Sequence, residues 1–132
     1  MKMDVAAVLR NIADFVPGNP DRIEQRHNDL WHWYKHCFPF LGDMPHNLAL
    51  QDYLRMGREI GLKAAANAPG TDTKVRDNHD ILVYWEPQRG GRGFFMVVRP
   101  TGPRSGCIAT LFSPDDMKRY YDLQPPAAVT FH

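Results

Sequence analysis

Apolar residues recur at helical spacing through the first half of the chain and at strand spacing through the second. In residues 4–15, Val5, Val8, Leu9 and Ile12 fall on one helical face and predict a first amphipathic helix. Pro17-Gly18 stops it. Asn19 is placed to cap a second helix with Pro20 at its first position, and Asp21 and Glu24 suit the positive end of its dipole. Ile23, His27, Leu30, Trp31 and Tyr34 carry this helix to about Cys37. Pro39, Gly42 and Pro45 make the following loop, and Asn47 caps a third helix over roughly 48–65. Its apolar face is Leu50, Tyr53, Leu54 and Ile60, and Asn67, Pro69 and Gly70 end it.

After Gly70 the period changes. Ile81 to Trp85 is β-branched and aromatic and short enough for a strand, as are Phe94 to Arg99 and Cys107 to Phe112. The predicted strand bounds are 80–86, 93–99 and 106–112, with a weaker edge strand at 73–76. Links of hairpin length imply an antiparallel meander. Ser113-Pro114-Asp115-Asp116 caps a short helical turn that reaches Tyr121. The predicted class is α+β, with N-terminal helices packed on a three- to four-stranded antiparallel sheet. A single domain over 1–132 is expected, helical over about 4–66, a sheet over about 73–123, with a loose tail at 124–132.

Composition narrows the picture. A chain of 132 residues removes about two thirds of its unfolded surface from water. No apolar run approaches the roughly 20 residues of a membrane span. Residues 1–15 lack the basic start and apolar core of a signal peptide, so a cytoplasmic site of action is expected. Cys37 and Cys107 form no CxxC pair, which argues against a disulfide scaffold or a zinc site and leaves room for one bridge. The net charge of +1 does not announce a nucleic-acid binder. Its distribution is more telling: Arg89, Arg92, Arg99 and Arg104 fall in a stretch with no acidic residue. Such a local patch suits capture of one phosphate-rich segment better than tracking along a duplex.

The candidate chemistry lies in His32-Trp33-Tyr34-Lys35-His36. His32 and His36 stack one turn apart on a helix, with Lys35 at the edge of the same face. Histidine titrates between about pH 5 and 8, and a neighbouring lysine cation helps keep a free base available. The His-x3-His spacing also suits a metal, but no third ligand stands out and Lys35 would repel a dication. No metal or cofactor is therefore expected. A helix flank lined by two histidines, with its aromatics in the core, explains the same pattern without any chemistry.

The order of features is a helix with HxxKH, a helix with YLRMGREIG, a strand ending in VYWEP, a strand GFFMVV, and a strand with ATLF followed by PDD. Over about residues 27–123 this order resembles the metal-independent ribonuclease domains grouped with barnase, EndoU, colicin D and RelE. The pattern is most similar to the colicin-D-like tips of contact-dependent inhibition and polymorphic toxins. The resemblance implies an endoribonuclease cutting a tRNA or other RNA loop, delivered into a target bacterium as the tip of a larger secreted protein. It implies that Lys35 and His36 are the phosphate-binding cation and the catalytic base, completed by the hydroxyl of Thr110 and the ring of Phe112. A toxin's producer must neutralise it, so an acidic immunity protein covering Lys35, Arg99 and Arg104 is the expected partner beside RNA. Here Thr110 and Phe112 themselves, and the near-neutral charge, depart from the family's pattern.

The residue types suit that reaction on their own terms. RNA supplies its own nucleophile, the 2′-hydroxyl, so the protein needs a base, an acid and donors for the phosphate. RNA and not DNA is thus the expected nucleic acid. His36 is assigned as base or acid, His32 as second proton carrier or positioning group, and Lys35, Arg99 and Arg104 as phosphate contacts. Tyr34, Trp85 and Phe112 are candidates to stack on unpaired bases, and each fits a core equally well. His27, His46, His79 and His132 have no convincing partners in the sequence. Three classes stand: a ribonuclease toxin, a non-catalytic phage or mobile-element module of the same fold binding RNA or protein, and an unrelated small-molecule domain. Loss of the histidines abolishes toxicity in the first and spares binding in the second. The third requires a closed apolar pocket.

Overall fold

A computed structural model describes residues 2–17 and 49–113. The elements in chain order are α1 (Val5–Arg10), β1 (Ile12–Phe15), α2 (Leu50–Ala65), β2 (Thr71–Val75), β3 (Ile81–Trp85), β4 (Phe94–Gly102) and β5 (Ser105–Phe112). The strands form one sheet in the order β1-β5-β4-β3-β2. β2 to β5 are antiparallel neighbours, and β1 lies parallel to β5 at the opposite edge from β2. The class is α+β, but the sheet is five-stranded and mixed where a three- to four-stranded antiparallel sheet was expected. The second predicted helix, the helical turn beyond Ser113 and the tail at 124–132 lie outside the described residues.

The first predicted helix divides into α1 and β1, and Asn11 is the reason. Asp4 caps the helix start by accepting from the Ala7 N–H at 3.0 Å, an arrangement contributing about 1 kcal/mol. Seven residues after Asp4 the side chain of Asn11 donates to the Ala7 carbonyl at 2.9 Å and to the Arg104 carbonyl at 3.0 Å. That competes with another helical turn and ties the break to the β4–β5 turn. Ile12 and Phe15 are buried while Ala13 and Asp14 are exposed, so the run after the break packs as an edge strand.

Both described helices pack on one face of the sheet. Val8 and Leu9 of α1, Tyr53 and Ile60 of α2, and Ile81, Val83, Met96, Val98, Ile108 and Leu111 of the strands share this core. Two glycines bring α2 close. A Cβ on Gly61 would stand 2.5 Å from the Leu9 carbonyl oxygen, and one on Gly57 would overlap the Ile108 Cδ1. Two polar side chains of α2 complete the seam: the Tyr53 hydroxyl donates to the Leu111 carbonyl, and Arg58 donates from Nε to the Ile12 carbonyl at 3.1 Å and from Nη2 to Ala13. Arg58 thus pairs carbonyls of a strand that has no second neighbour among the described residues.

The other face is buried as well. Leu82, Tyr84, Phe95 and Val97 form a second apolar cluster, with Ala109 and Phe112 packed against it. Burial on both faces explains why β3 and β4 read as unbroken apolar runs and not as alternating ones.

Candidate functional site

Strict alternation along β5 would put Ile108, Thr110 and Phe112 on one face. The observed register differs. Ile108 pairs with Val98 but Thr110 pairs with Val97, so Ala109 is an extra residue without a partner, a β-bulge. Ile108 and Leu111 therefore face the helices, while Thr110 and Phe112 turn to the second face. Arg99 of β4 follows Val97 by one alternation, about 7 Å along the strand, and shares that face. Thr110, Phe112 and Arg99 are thus brought together by one inserted residue.

Each is engaged. The Phe112 ring lies 5.2 Å from that of Phe95 at 59°, and Thr110 is half-buried. Arg99 presents Nε and Nη2 to the two carboxylate oxygens of Asp80, both at 3.3 Å. The Asp80 side chain is 5 % exposed and the Arg99 side chain 52 %. The Arg99 side chain is thus half-exposed while its charge is balanced from within. Asn78 supports the carboxylate at 3.4 Å and accepts from the Asp80 N–H at 3.1 Å, inside a turn where His79 takes a φ of 71°.

Arg104 does not join this group. It is exposed in the β4–β5 turn, roughly 20 Å along the strand from Thr110, where it lines a groove of about 280 Å³ with Lys2, Met3, Asp4 and Pro103. A second groove, of about 300 Å³, runs beside α1 and the end of α2 and touches none of the site candidates. His32, Lys35 and His36 lie outside the described residues.

One cation of the arginine stretch was given no role of its own in the sequence. Arg92 donates from Nε to the Ser113 hydroxyl at 2.9 Å and from Nη2 to the Ser113 carbonyl, and the buried hydroxyl donates in turn to the Gly93 carbonyl. The clamp fixes the end of β5 directly after Phe112, at the opposite end of the face from Arg99. The antiparallel pairing of Phe95 with Phe112 carries residues 92–93 toward 113, so a correct hairpin register was the signal that would have found it. Trp85, a stacking candidate, is half-buried on the helical face, stacked on Phe94 at 5.4 Å with the Lys63 ammonium 5.3 Å from its ring centre. Among the described residues no cluster of His, Cys, Asp and Glu is large enough to hold a metal ion, and no helix is long and apolar enough to cross a membrane.

No protein-family model, curated protein or solved structure matches this chain.

Proposed function

We propose that the chain is a metal-independent endoribonuclease domain of the toxin or effector class, cutting a tRNA or other RNA loop by transesterification through the 2′-hydroxyl. The observation that supports this reading is the bulge at Ala109, which gives Thr110, Phe112 and Arg99 a common face. A hydroxyl, an aromatic ring and a half-exposed guanidinium on one rigid sheet suit the phosphate and a base of an unstacked loop. In this proposal His36 moves the proton at the 2′-hydroxyl or the leaving 5′-oxygen, His32 serves as second carrier, and Lys35 holds the phosphate. Arg104, at the far turn, serves RNA or an acidic immunity protein at a distance from the reacting bond.

A second reading draws on specific contacts. The charge of Arg99 is already balanced by Asp80, and Phe112 packs on Phe95, which suits a non-catalytic module that binds RNA or protein. Incubating the purified chain with total cellular RNA and EDTA separates the two. The ribonuclease yields discrete fragments ending in a 2′,3′-cyclic phosphate or the derived 3′-phosphate. Binding without cleavage at any metal concentration supports the module, and strict dependence on Mg²⁺ contradicts the proposed mechanism.

A further inference from the structure

β2 closes one side of the sheet, and among the described residues no strand pairs with its outer edge. Its ladder to β3 is carried by even-numbered residues. The Gly70 carbonyl accepts from the Glu86 N–H at 2.8 Å and the Arg76 N–H donates to the Asp80 carbonyl at 2.9 Å, with Asp72 and Lys74 in phase between them. Thr71, Thr73 and Val75 therefore turn their backbone groups outward. Two bonds agree: the Thr71 N–H goes to the Ala68 carbonyl at 3.2 Å, and the Thr73 N–H to the carboxylate of Asp72 at 3.0 Å. An edge of this kind is a template for another strand.

We propose that this edge pairs with the same edge of a second copy, antiparallel about a two-fold axis at Thr73, so that one sheet runs through both molecules. The charges of Thr-Asp-Thr-Lys-Val select that register. With the axis at Thr73, Asp72 faces Lys74 of the second copy twice over, and Thr71 faces Val75. An axis at Asp72 would oppose two carboxylates, and one at Lys74 two ammonium groups. Opposite charges directly across strands attract and like charges repel. The facing Asp–Lys positions are also the non-hydrogen-bonded ones, where side chains stand closest. Lys74 is engaged within its own chain as well, so the pairing uses the sign of its charge and not a vacant side chain.

A lone lysine on an edge guards against pairing. The carboxylate two residues away makes this edge complementary to itself instead. On pairing, the Thr73 N–H exchanges its bond to Asp72 for the Thr73 carbonyl of the second copy, which releases the Asp72 carboxylate to meet Lys74. On the helical side Thr73 lines the groove of about 300 Å³ together with Ala64, Ala65 and Asn67, small side chains that leave the approach open.

Sedimentation velocity on the full chain over a wide concentration range tests this. The expected result is a monomer–dimer equilibrium that weakens with salt. Asp72→Lys or Lys74→Asp alone should weaken it about tenfold or more, because each sets like charges opposite at both ends. Mixing the two single variants should restore association as a heterodimer, since every facing pair is then opposite in sign. Thr73→Pro removes an N–H that the ladder to β3 does not use and should abolish dimerisation in a protein whose melting temperature shows it folded. A chain monomeric at every concentration overturns the proposal, whether the edge stays bare or takes another protein's strand. A dimer indifferent to both charge reversals overturns it too.

Discussion

Arg99→Ala tests what the second face of the sheet needs in order to hold together. The guanidinium meets both oxygens of Asp80 at 3.3 Å, and without it the buried carboxylate keeps the Asn78 amide at 3.4 Å. Breaking a fully buried ion pair from one side costs about 3–5 kcal/mol. Arg99 is half-exposed, so water reaches the pair and the expected loss is smaller, about 1–3 kcal/mol. For a chain of this length that lowers Tm by roughly 3–15 °C. Thermal denaturation of the unmodified chain, Arg99→Ala, Asp80→Asn and the double variant closes the cycle. The double variant should recover part of the loss, because a neutral amide no longer requires a counter-ion. RNA affinity of Arg99→Ala, measured at several salt concentrations, should show a salt slope smaller by about 1 if the outward half of the guanidinium meets a phosphate. An unchanged Tm in Arg99→Ala would refute the reasoning, since the carboxylate would then need no guanidinium.

Other outcomes follow from particular contacts. Gly61→Ala sets a methyl against the Leu9 backbone carbonyl, so overpacking of about 1–3 kcal/mol should exceed the gain of about 1 kcal/mol in helix propensity and lower Tm. Gly57→Ala meets the terminal methyl of Ile108, which can turn aside, so it should be the milder of the two, and the reverse order in thermal melts would contradict this packing. Deleting Ala109 makes Ile108 and Thr110 adjacent, so plain alternation keeps Thr110 and Phe112 on the face of Arg99 and a folded deletion variant should still cleave RNA; loss of cleavage in a folded deletion variant would show that the common face is not enough. An acidic inhibitor should associate more slowly as salt rises and with Arg104→Glu, and association kinetics indifferent to both would argue against a cationic docking surface.

Much of the sheet was legible because β3, β4 and β5 are runs of β-branched and aromatic residues bounded by glycine and proline. β1 was not, for a physical reason. Ile12 and Phe15 sit at a spacing of three that continues the helical stripe of Val5, Val8 and Leu9, and only the long-range bond from Asn11 to Arg104 reveals the break. A parallel edge strand beside β5 leaves no hairpin signal in the sequence. The shared face of Thr110, Phe112 and Arg99 was not legible. Thr110 and Phe112 came from the resemblance and Arg99 from its place at a strand end, but strict alternation would set Ile108 beside Thr110, and a bulge carries no mark beyond the small Ala109. Arg104 was chosen for its charge, which says nothing of its distance from Thr110. Arg92 was seen as a charge, but its clamp was not legible because its partner Ser113 is a neighbour only through the sheet register.

The central claim is tested most directly on one variant, His36→Ala, with melting temperature and RNA cleavage measured in EDTA on the same sample. The proposal predicts a folded protein that still binds RNA and cleaves it about two to four orders of magnitude more slowly, because proton transfer is needed in the transition state. A folded His36→Ala protein with undiminished cleavage would contradict it, as would activity that falls only in proportion to folded protein.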